Sequence, residues 1–365
     1  MRSPHVHLIE PGGRGGVHHH TVALAAALAA EGLAVDLHTA ADAEPLPLDL
    51  GPVRRRHCLW HFPRVPRPLR RVAVVIGWLV LGVPSCLARV RPGDVTHVQG
   101  LFRPGLLVPL MVGLRTRRCI VAFSPHNTFS RRGRAGEERL LRWLARRADV
   151  VVTFSTPDRD RVETWGARAV RAPFPVLASA HPPAELVAAW RRRWGADVNG
   201  PVVLLPGYLR PDKGLDVAIR AAAGWGDGAL LAVVGQDAGA LEAGRRLAHA
   251  LGVRVQWDEG YRPLEEFMAA VVASDVVVCP YRAASQSAVL ALARAVGRPT
   301  VASAVGGLRE LATVVVPPDD PAALAEGVRR ALTGPPPDPV PDHAATVTEA
   351  YVSLYRSVEG REWVP

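Results

Sequence analysis

Short apolar runs rich in β-branched residues recur nearly from end to end of this chain, with longer helical patterns between them. HVHLIE, LAVDLHT, DVTHVQG, RCIVAF, DVVVTFS and ARAVRAP read as strands in the first half. PVVLLPG, ALLAVVG, VRVQW, DVVVCPY, PTVAS and ATVVVPP repeat the pattern in the second. Continuously apolar strands separated by helices belong to parallel sheets that are covered on both faces. Each half therefore reads as a doubly wound α/β domain. A length of 365 residues exceeds one ordinary core and fits two. The prolines of APFPVLASAHPPAEL mark the junction, and those of TGPPPDPVPDH set off a last helix containing Tyr351 and Tyr355. The expected division is residues 1–175, residues 176–340, and a C-terminal helix in 341–365 that packs back on the first domain.

Lys213 is the only lysine; the other 43 basic residues are arginine. Residues 1–183 hold 26 arginines against 13 acids, whereas residues 184–365 hold 18 basic residues against 21 acids, so the net charge of +10 comes from the first half. A one-sided basic surface draws phosphates, nucleic acid or an anionic membrane face. A generally arginine-rich, solvated surface is the plain alternative. Cys58, Cys86, Cys119 and Cys279 are scattered, without zinc or disulfide spacing, and fit a reducing compartment. The N-terminal residues lack the pattern of a signal peptide, so a cytoplasmic location is expected. RRVAVVIGWLVLGVPSCLARVR carries 17 residues without charge from Val72 to Ala88. That falls short of the ~20 residues of a membrane span. Gly77, Gly82 and Pro84 also interrupt it, so the segment reads as a buried helix, with a membrane-surface helix as the alternative.

Ligand chemistry is expected where parallel strands end. After the first strand, IEPGGRGGVHHHT places Gly12, Gly13, Gly15 and Gly16 ahead of a helix, so backbone N–H groups and the positive end of the helix dipole can meet an anion. The spacing is not that of a dinucleotide fingerprint. His18, His19 and His20 point about 100° apart on a helix, which argues against a shared metal and leaves one or two to line a ligand site. FSPHNTFS sets His126 and Asn127 just past another strand.

In the second half, PGYLRPDKG follows the first strand and places Arg210 and Lys213 three residues apart near Gly207. A planar fork and a compact ammonium on one turn can converge on an anion with two or more charges. CPYRAASQS then leads into a helix beginning near Ser287, where Ser285, Gln286 and Ser287 offer hydroxyls and an amide to phosphate or sugar. VGGLRE adds Gly306, Gly307 and Glu310 at the next strand end. Helix capping alone explains Ser285 or Ser287, but not glycine or small-residue loops at successive strand ends.

GGRGG, PHN, GYLRPDKG, SQS and RPTVASAVGGLRE, in this order across two α/β halves, resemble the family 4 glycosyltransferases of GT-B fold. The resemblance spans most of the chain and is loosest between about residues 40 and 95. It implies two Rossmann-like domains facing across a cleft: an acceptor domain first, a nucleotide-sugar domain second, and a C-terminal helix crossing back. It further implies a retaining transferase that needs no metal and no cofactor beyond its nucleoside diphosphate sugar, UDP- or GDP-linked. By position, Arg210 and Lys213 would hold the diphosphate, approached by Gly13, Gly15 or Gly16, with His126 beside the transferred sugar. Gly260 and Tyr261 would pass the nucleobase, and Gly207, Ser285, Gln286, Ser287, Gly307 and Glu310 would complete donor binding. His18, His19 and Asn127 would meet the acceptor.

Two departures stand out. Tyr208 follows the strand-end glycine where the family commonly has arginine, so Arg210 must reach from two residues later. Ala284 and Leu292 occupy the places of the family's paired glutamates, which shifts sugar and ribose recognition to the SQS loop. The basic first domain favours an anionic or lipid-linked acceptor and peripheral contact with an anionic membrane, with a small natural product or aminosugar as the alternative acceptor, so the setting is glycan, glycolipid or natural-product glycoside biosynthesis. The rival readings are a nucleotide-sugar epimerase of the same fold, for which no acid and base set is evident, and a basic nucleic-acid-binding protein, for which no reading module is evident.

Overall fold

The computed structural model describes residues 5–46, 49–61, 65–100, 103–129, 135–176, 182–196, 200–225, 228–337 and 343–359. The proline-rich stretches 172–186 and 333–343 therefore lie partly outside the described residues. The chain forms two compact units, Met1–Pro175 with Ala344–Pro365, and Val176–His343.

The first unit is built on a seven-stranded sheet in the order β3-β2-β1-β4-β5-β6-β7. Its strands are β1 (His5–Ile9), β2 (Ala34–Ala40), β3 (Arg54–Leu59), β4 (Val95–Gln99), β5 (Ile120–Ser124), β6 (Val150–Thr153) and β7 (Ala169–Arg171). Every pairing is parallel. The helices α1 (Gly15–Ala30), α2 (Arg67–Gly77), α3 (Val83–Leu87), α4 (Val108–Thr116), α5 (Ala135–Arg147) and α6 (Thr156–Thr164) follow in chain order. Strand β3 is not evident in the sequence pattern, because it opens with three arginines and only Cys58 and Leu59 at its end are buried. It lies at the sheet edge, where one polar flank costs little.

The second unit has a six-stranded parallel sheet in the order β10-β9-β8-β11-β12-β13. These strands are β8 (Val202–Pro206), β9 (Leu230–Gly235), β10 (Val255–Glu259), β11 (Val276–Cys279), β12 (Thr300–Ser303) and β13 (Val314–Val316). The helices are α7 (Ala184–Trp194), α8 (Leu215–Ala222), α9 (Leu241–Ala250), α10 (Leu264–Ala273), α11 (Ala288–Ala295) and α12 (Pro321–Thr333). Chain order reverses between β1 and β4 in one sheet and between β8 and β11 in the other. Such switch points open a crevice at the carboxyl ends of the strands, where doubly wound folds bind ligands.

The last helix, α13 (His343–Glu359), is part of the first unit's core. Tyr351 and Tyr355 are fully buried there with Val6, Leu8 and Val95. The Tyr355 hydroxyl lies 2.8 Å from Nδ1 of His97, whose Nε2 is 2.8 Å from Oγ of Ser124. Burial, followed by the charge of His126, pushes the His97 imidazole down to about 3.

The expectation of a buried helix over the 72–88 segment is corrected. The helical run Leu69–Leu87 is long and apolar enough by length and composition to cross a membrane. Trp78, Val83 and Cys86 face the core, and the Trp78 indole donates to the Leu106 carbonyl at 2.7 Å. Leu69, Val72, Ile76, Leu79, Val80 and Leu81 are exposed. A hydropathy run cannot show this, because both faces of the helix are apolar and only one is covered among the described residues.

Candidate functional site

In the second unit, strand β8 ends at Pro206 and the chain passes through Gly207 to the turn that carries Arg210 and Lys213. Gly214 closes that turn at φ +68°, and a Cβ there would run into the Pro280 carbonyl. Glycine thus lets the loop after β8 lie against the loop after β11. The Arg282 amide donates to the Asp212 carbonyl at 2.9 Å, and the Arg282 guanidinium grips Asp216 at 2.9 and 2.7 Å. The Lys213 ammonium sits 3.4 Å from the centroid of the Tyr281 ring. Tyr281 is fully buried, and burial pushes its phenol well above the ordinary range. The lone lysine is therefore fixed at the unit's switch point by a contact between the two loops that flank it. Arg210 donates through Nε and Nη2 to the Asp212 carboxylate at 2.9 and 3.1 Å, which offsets part of its charge.

The loop after β11 presents Ser285, Gln286 and Ser287. Ser287 caps α11, its hydroxyl accepting from the Leu290 amide at 3.4 Å, while Ser285 is buried and Gln286 half-buried. The Gly307 amide donates to the Ser285 carbonyl at 2.9 Å, so the GGLRE turn after β12 seats on the SQS loop, with Glu310 half-buried at its end. Ala284 and Leu292 are both buried and carry no polar side chain to offer a ligand. After β10, the Gly260 amide donates to the Gly235 carbonyl at 3.0 Å, and the Tyr261 ring lies 6.4 Å from that of Tyr208.

In the first unit, the glycine loop after β1 is organised by Glu10, whose carboxylate accepts from Gly12 N at 2.7 Å and Gly13 N at 3.0 Å. Those two amides, read from the sequence as open to an anion, are already bound. Gly15 and Gly16 begin α1, whose first-turn N–H groups have no intrahelical acceptor. Gly13 takes φ +68° and would carry a Cβ against Ala40. His18, expected at the acceptor, is buried with Nδ1 2.9 Å from Oε2 of Glu10. His19 meets Glu44 at 3.1 Å. The three successive histidines thus diverge.

His20 is buried, and neither of its ring nitrogens has a hydrogen-bond partner among the described residues. Burial, then His126 and His97, hold it well below the ordinary histidine range. Its ring packs on His126, Phe154 and Phe174 at 5.1, 4.9 and 4.6 Å. His126 follows β5 at φ +56°, a conformation uncommon outside glycine that marks functional turns. Its Nε2 donates to Oε1 of Gln99, the last residue of β4, at 2.7 Å. Asn127 is half-buried beside it.

Sequence reasoning missed Glu10, His20, Gln99 and Tyr281. Each ends or follows a predicted strand or sits in the flagged histidine run, but its partner lies 8 to 106 residues away, as with His18 for Glu10 and His126 for His20. Nothing local announces such pairings.

A family model described as "Glycosyltransferase Family 4" matches residues 14–174, and one described as "Glycosyl transferases group 1" matches residues 200–334. The chain is 30% identical over 353 residues to a D-inositol 3-phosphate glycosyltransferase of Xylanimonas cellulosilytica, covering 86% of this chain and 82% of that protein. Among solved structures, sucrose-phosphate synthase from Thermosynechococcus elongatus superposes with a TM-score of 0.71 at 22% identity, over 98% of this chain and 95% of its own. Anabaena HepE in complex with UDP and glucose superposes with a TM-score of 0.69 at 17% identity, over 96% and 94%. Two parallel-sheet Rossmann-like units, strand-end loops of matching order and these likenesses agree: the chain belongs to the family 4 glycosyltransferases of GT-B fold.

Proposed function

We propose that this glycosyltransferase moves a sugar from a UDP- or GDP-linked donor to an acceptor hydroxyl, with retention at the anomeric carbon. The observation that supports it most directly is the Lys213 ammonium held over Tyr281 at the second unit's switch point. A diphosphate leaving group gains negative charge as the glycosidic bond breaks, so a fixed cation stabilises the transition state more than the ground state. Arg210 lies on the same turn, its charge partly offset by Asp212, and the reading needs no metal for the departing charge. HepE, whose structure contains UDP and glucose, favours a uridine donor.

Recognition of the sugar and ribose falls to Ser285, Gln286, Ser287 and the GGLRE turn, because Ala284 and Leu292 offer no polar side chain. Ala284 and Leu292 supply no nucleophile, and Glu310, the carboxylate of the GGLRE turn, is assigned to donor binding. The acceptor oxygen therefore attacks the anomeric carbon from the face the phosphate leaves, and the departing phosphate oxygen takes its proton. His126, held by Gln99, and Asn127 are the substrate contacts of the first unit, with His19. His18 acts on them indirectly by fixing Glu10 and the glycine loop.

The acceptor is proposed to be lipid-linked or anionic. The exposed ridge Leu69, Val72, Ile76, Leu79, Val80 and Leu81 recurs at helical spacing on a helix whose other side is anchored in the core. Exposed Arg54, Arg55, Arg71, Arg89 and Arg91 lie in the segments around it, which suits an anionic bilayer surface.

A panel of nucleotide sugars in a thermal-shift assay tests the donor reading. UDP- or GDP-sugars should raise the melting temperature of the wild type by mass action, and nucleotides of the other bases should not. No stabilisation by any UDP- or GDP-sugar would overturn it.

A further inference from the structure

Toward the amino ends of β1 and β2, away from the glycine loop, His5, His7 and Asp36 share one face, with His38 further along β2. The register places His7 beside Asp36 and Ile9 beside His38. Side chains alternate along strands, so His5 and His7 of β1 and Asp36 and His38 of β2 project to the same side. His5 Nε2 lies 3.4 Å from Asp36 Oδ1, His7 Nδ1 lies 4.0 Å from Asp36 Oδ2, and His7 Nδ1 lies 3.1 Å from His38 Nε2. His5, His7 and Asp36 each place a donor atom within 4.8 Å of the others. Two ligands bound tetrahedrally at about 2.0–2.1 Å stand roughly 3.3 Å apart, so these separations are close to those of a formed site.

The surroundings orient the donors as metal ligands require. Asp94 Oδ2 lies 3.2 Å from His7 Nε2 and holds the proton there, which turns the Nδ1 lone pair toward the cluster. The Arg56 Nε–H donates to Asp36 Oδ2 at 3.2 Å. The other oxygen, Oδ1, is buried and has no hydrogen bond among the described residues, and His5 Nε2 lies 3.4 Å from it. An unsatisfied buried carboxylate oxygen is costly, and a cation is one way to relieve it. His7, Asp36 and His38 are buried, while the His5 side chain is 30% exposed and offers an entry path.

We propose that His5, His7 and Asp36 bind one divalent ion of the zinc class that ties β1 to β2, with water completing the shell. Two imidazoles and one carboxylate suit zinc, cobalt or nickel better than magnesium or calcium. The ion is structural, and the site stands apart from the strand ends that carry ligand chemistry, so its test does not depend on the transferase reading.

Chelator-treated, tag-free protein is titrated with Co²⁺, following visible absorption and melting temperature, and the bound Co²⁺ is then displaced with Zn²⁺. The expected result is one ion per chain with tetrahedral absorption and a raised melting temperature. His5→Ala, a change at a partly exposed side chain, should abolish the tetrahedral spectrum while leaving the metal-free melting temperature nearly unchanged. Asp94→Asn should weaken binding by about 10- to 100-fold, as for a lost partner of a ligating histidine. His19→Ala should have no effect. Failure of the wild type to take up Co²⁺, or a tetrahedral spectrum that survives His5→Ala or is lost in His19→Ala, would overturn the proposal.

Discussion

Replacing Lys213 with alanine removes the charge on which the donor reading rests. The ammonium lies 3.4 Å from the Tyr281 centroid, and a cation at a desolvated aromatic face contributes about 0.5–2 kcal/mol to stability. The variant should therefore fold, with a melting temperature only a few degrees lower. Its chemistry should suffer more. Two unit charges about 4 Å apart at an effective dielectric of about 20 interact by roughly 4 kcal/mol. Losing a group that stabilises a developing anion commonly raises the barrier by about 2.7–4 kcal/mol, or about 10²- to 10³-fold in turnover. Arg210 does not replace it, because its guanidinium is tied to Asp212. The assay is steady-state release of nucleoside diphosphate, with kcat and KM separated. A fall in kcat is the signature of charge stabilisation in the transition state, whereas a rise in KM alone would signal uniform binding. Tyr281→Phe keeps the ring and should keep most activity. A folded Lys213→Ala protein with kcat within about threefold of wild type would refute the reasoning, since an effect of this kind is worth at least tenfold.

Acid should weaken the fold before the carboxylates titrate. The His97 imidazole, faced by Tyr355, Ser124 and His126, is pushed from 6.5 down to about 3, so the unfolded chain binds its proton first. Its contribution is complete above pH 6.5 and declines by about 1.4 kcal/mol per pH unit toward pH 3. His20 shifts in the same direction and adds to the slope. Urea midpoints measured from pH 7 to 5 should fall in the wild type and fall less steeply in His97→Asn; parallel slopes would contradict the assignment. For the exposed ridge, the wild type should float with vesicles containing anionic phospholipid and not with neutral ones. Ile76→Glu with Val80→Glu should cut that binding by more than about tenfold, since each side chain withdrawn from the bilayer forfeits about 1.5–3 kcal/mol. Flotation indifferent to lipid charge, or to the two substitutions, would remove the membrane reading.

Much of the fold was legible in the sequence because parallel strands buried on both faces leave continuous apolar runs. Five strands of the second sheet fall within runs such as PVVLLPG and DVVVCPY, and β10 overlaps VRVQW but runs on through Asp258 and Glu259. Strand β3 was not legible, since RRRHCL is half arginine and pairs along one edge only. The strand-end loops were likewise readable, as glycines and lone polar residues after an apolar run interrupt both strand and helix patterns. Their internal pairings were not: Arg210 on Asp212, His18 on Glu10 and Lys213 on Tyr281 are choices among several nearby partners.

By itself, then, the order of residues determined two doubly wound units, the family, and the strand ends that carry polar chemistry, because those properties follow from local periodicity and spacing. Tertiary structure alone decided which face of the Leu69–Leu87 helix is exposed among the described residues. It also decided that two glycine amides are already bound by Glu10, and that His5, His7, Asp36 and His38 come together. Each of these depends on which strand lies beside which, and parallel register joins residues some thirty positions apart that no local pattern connects.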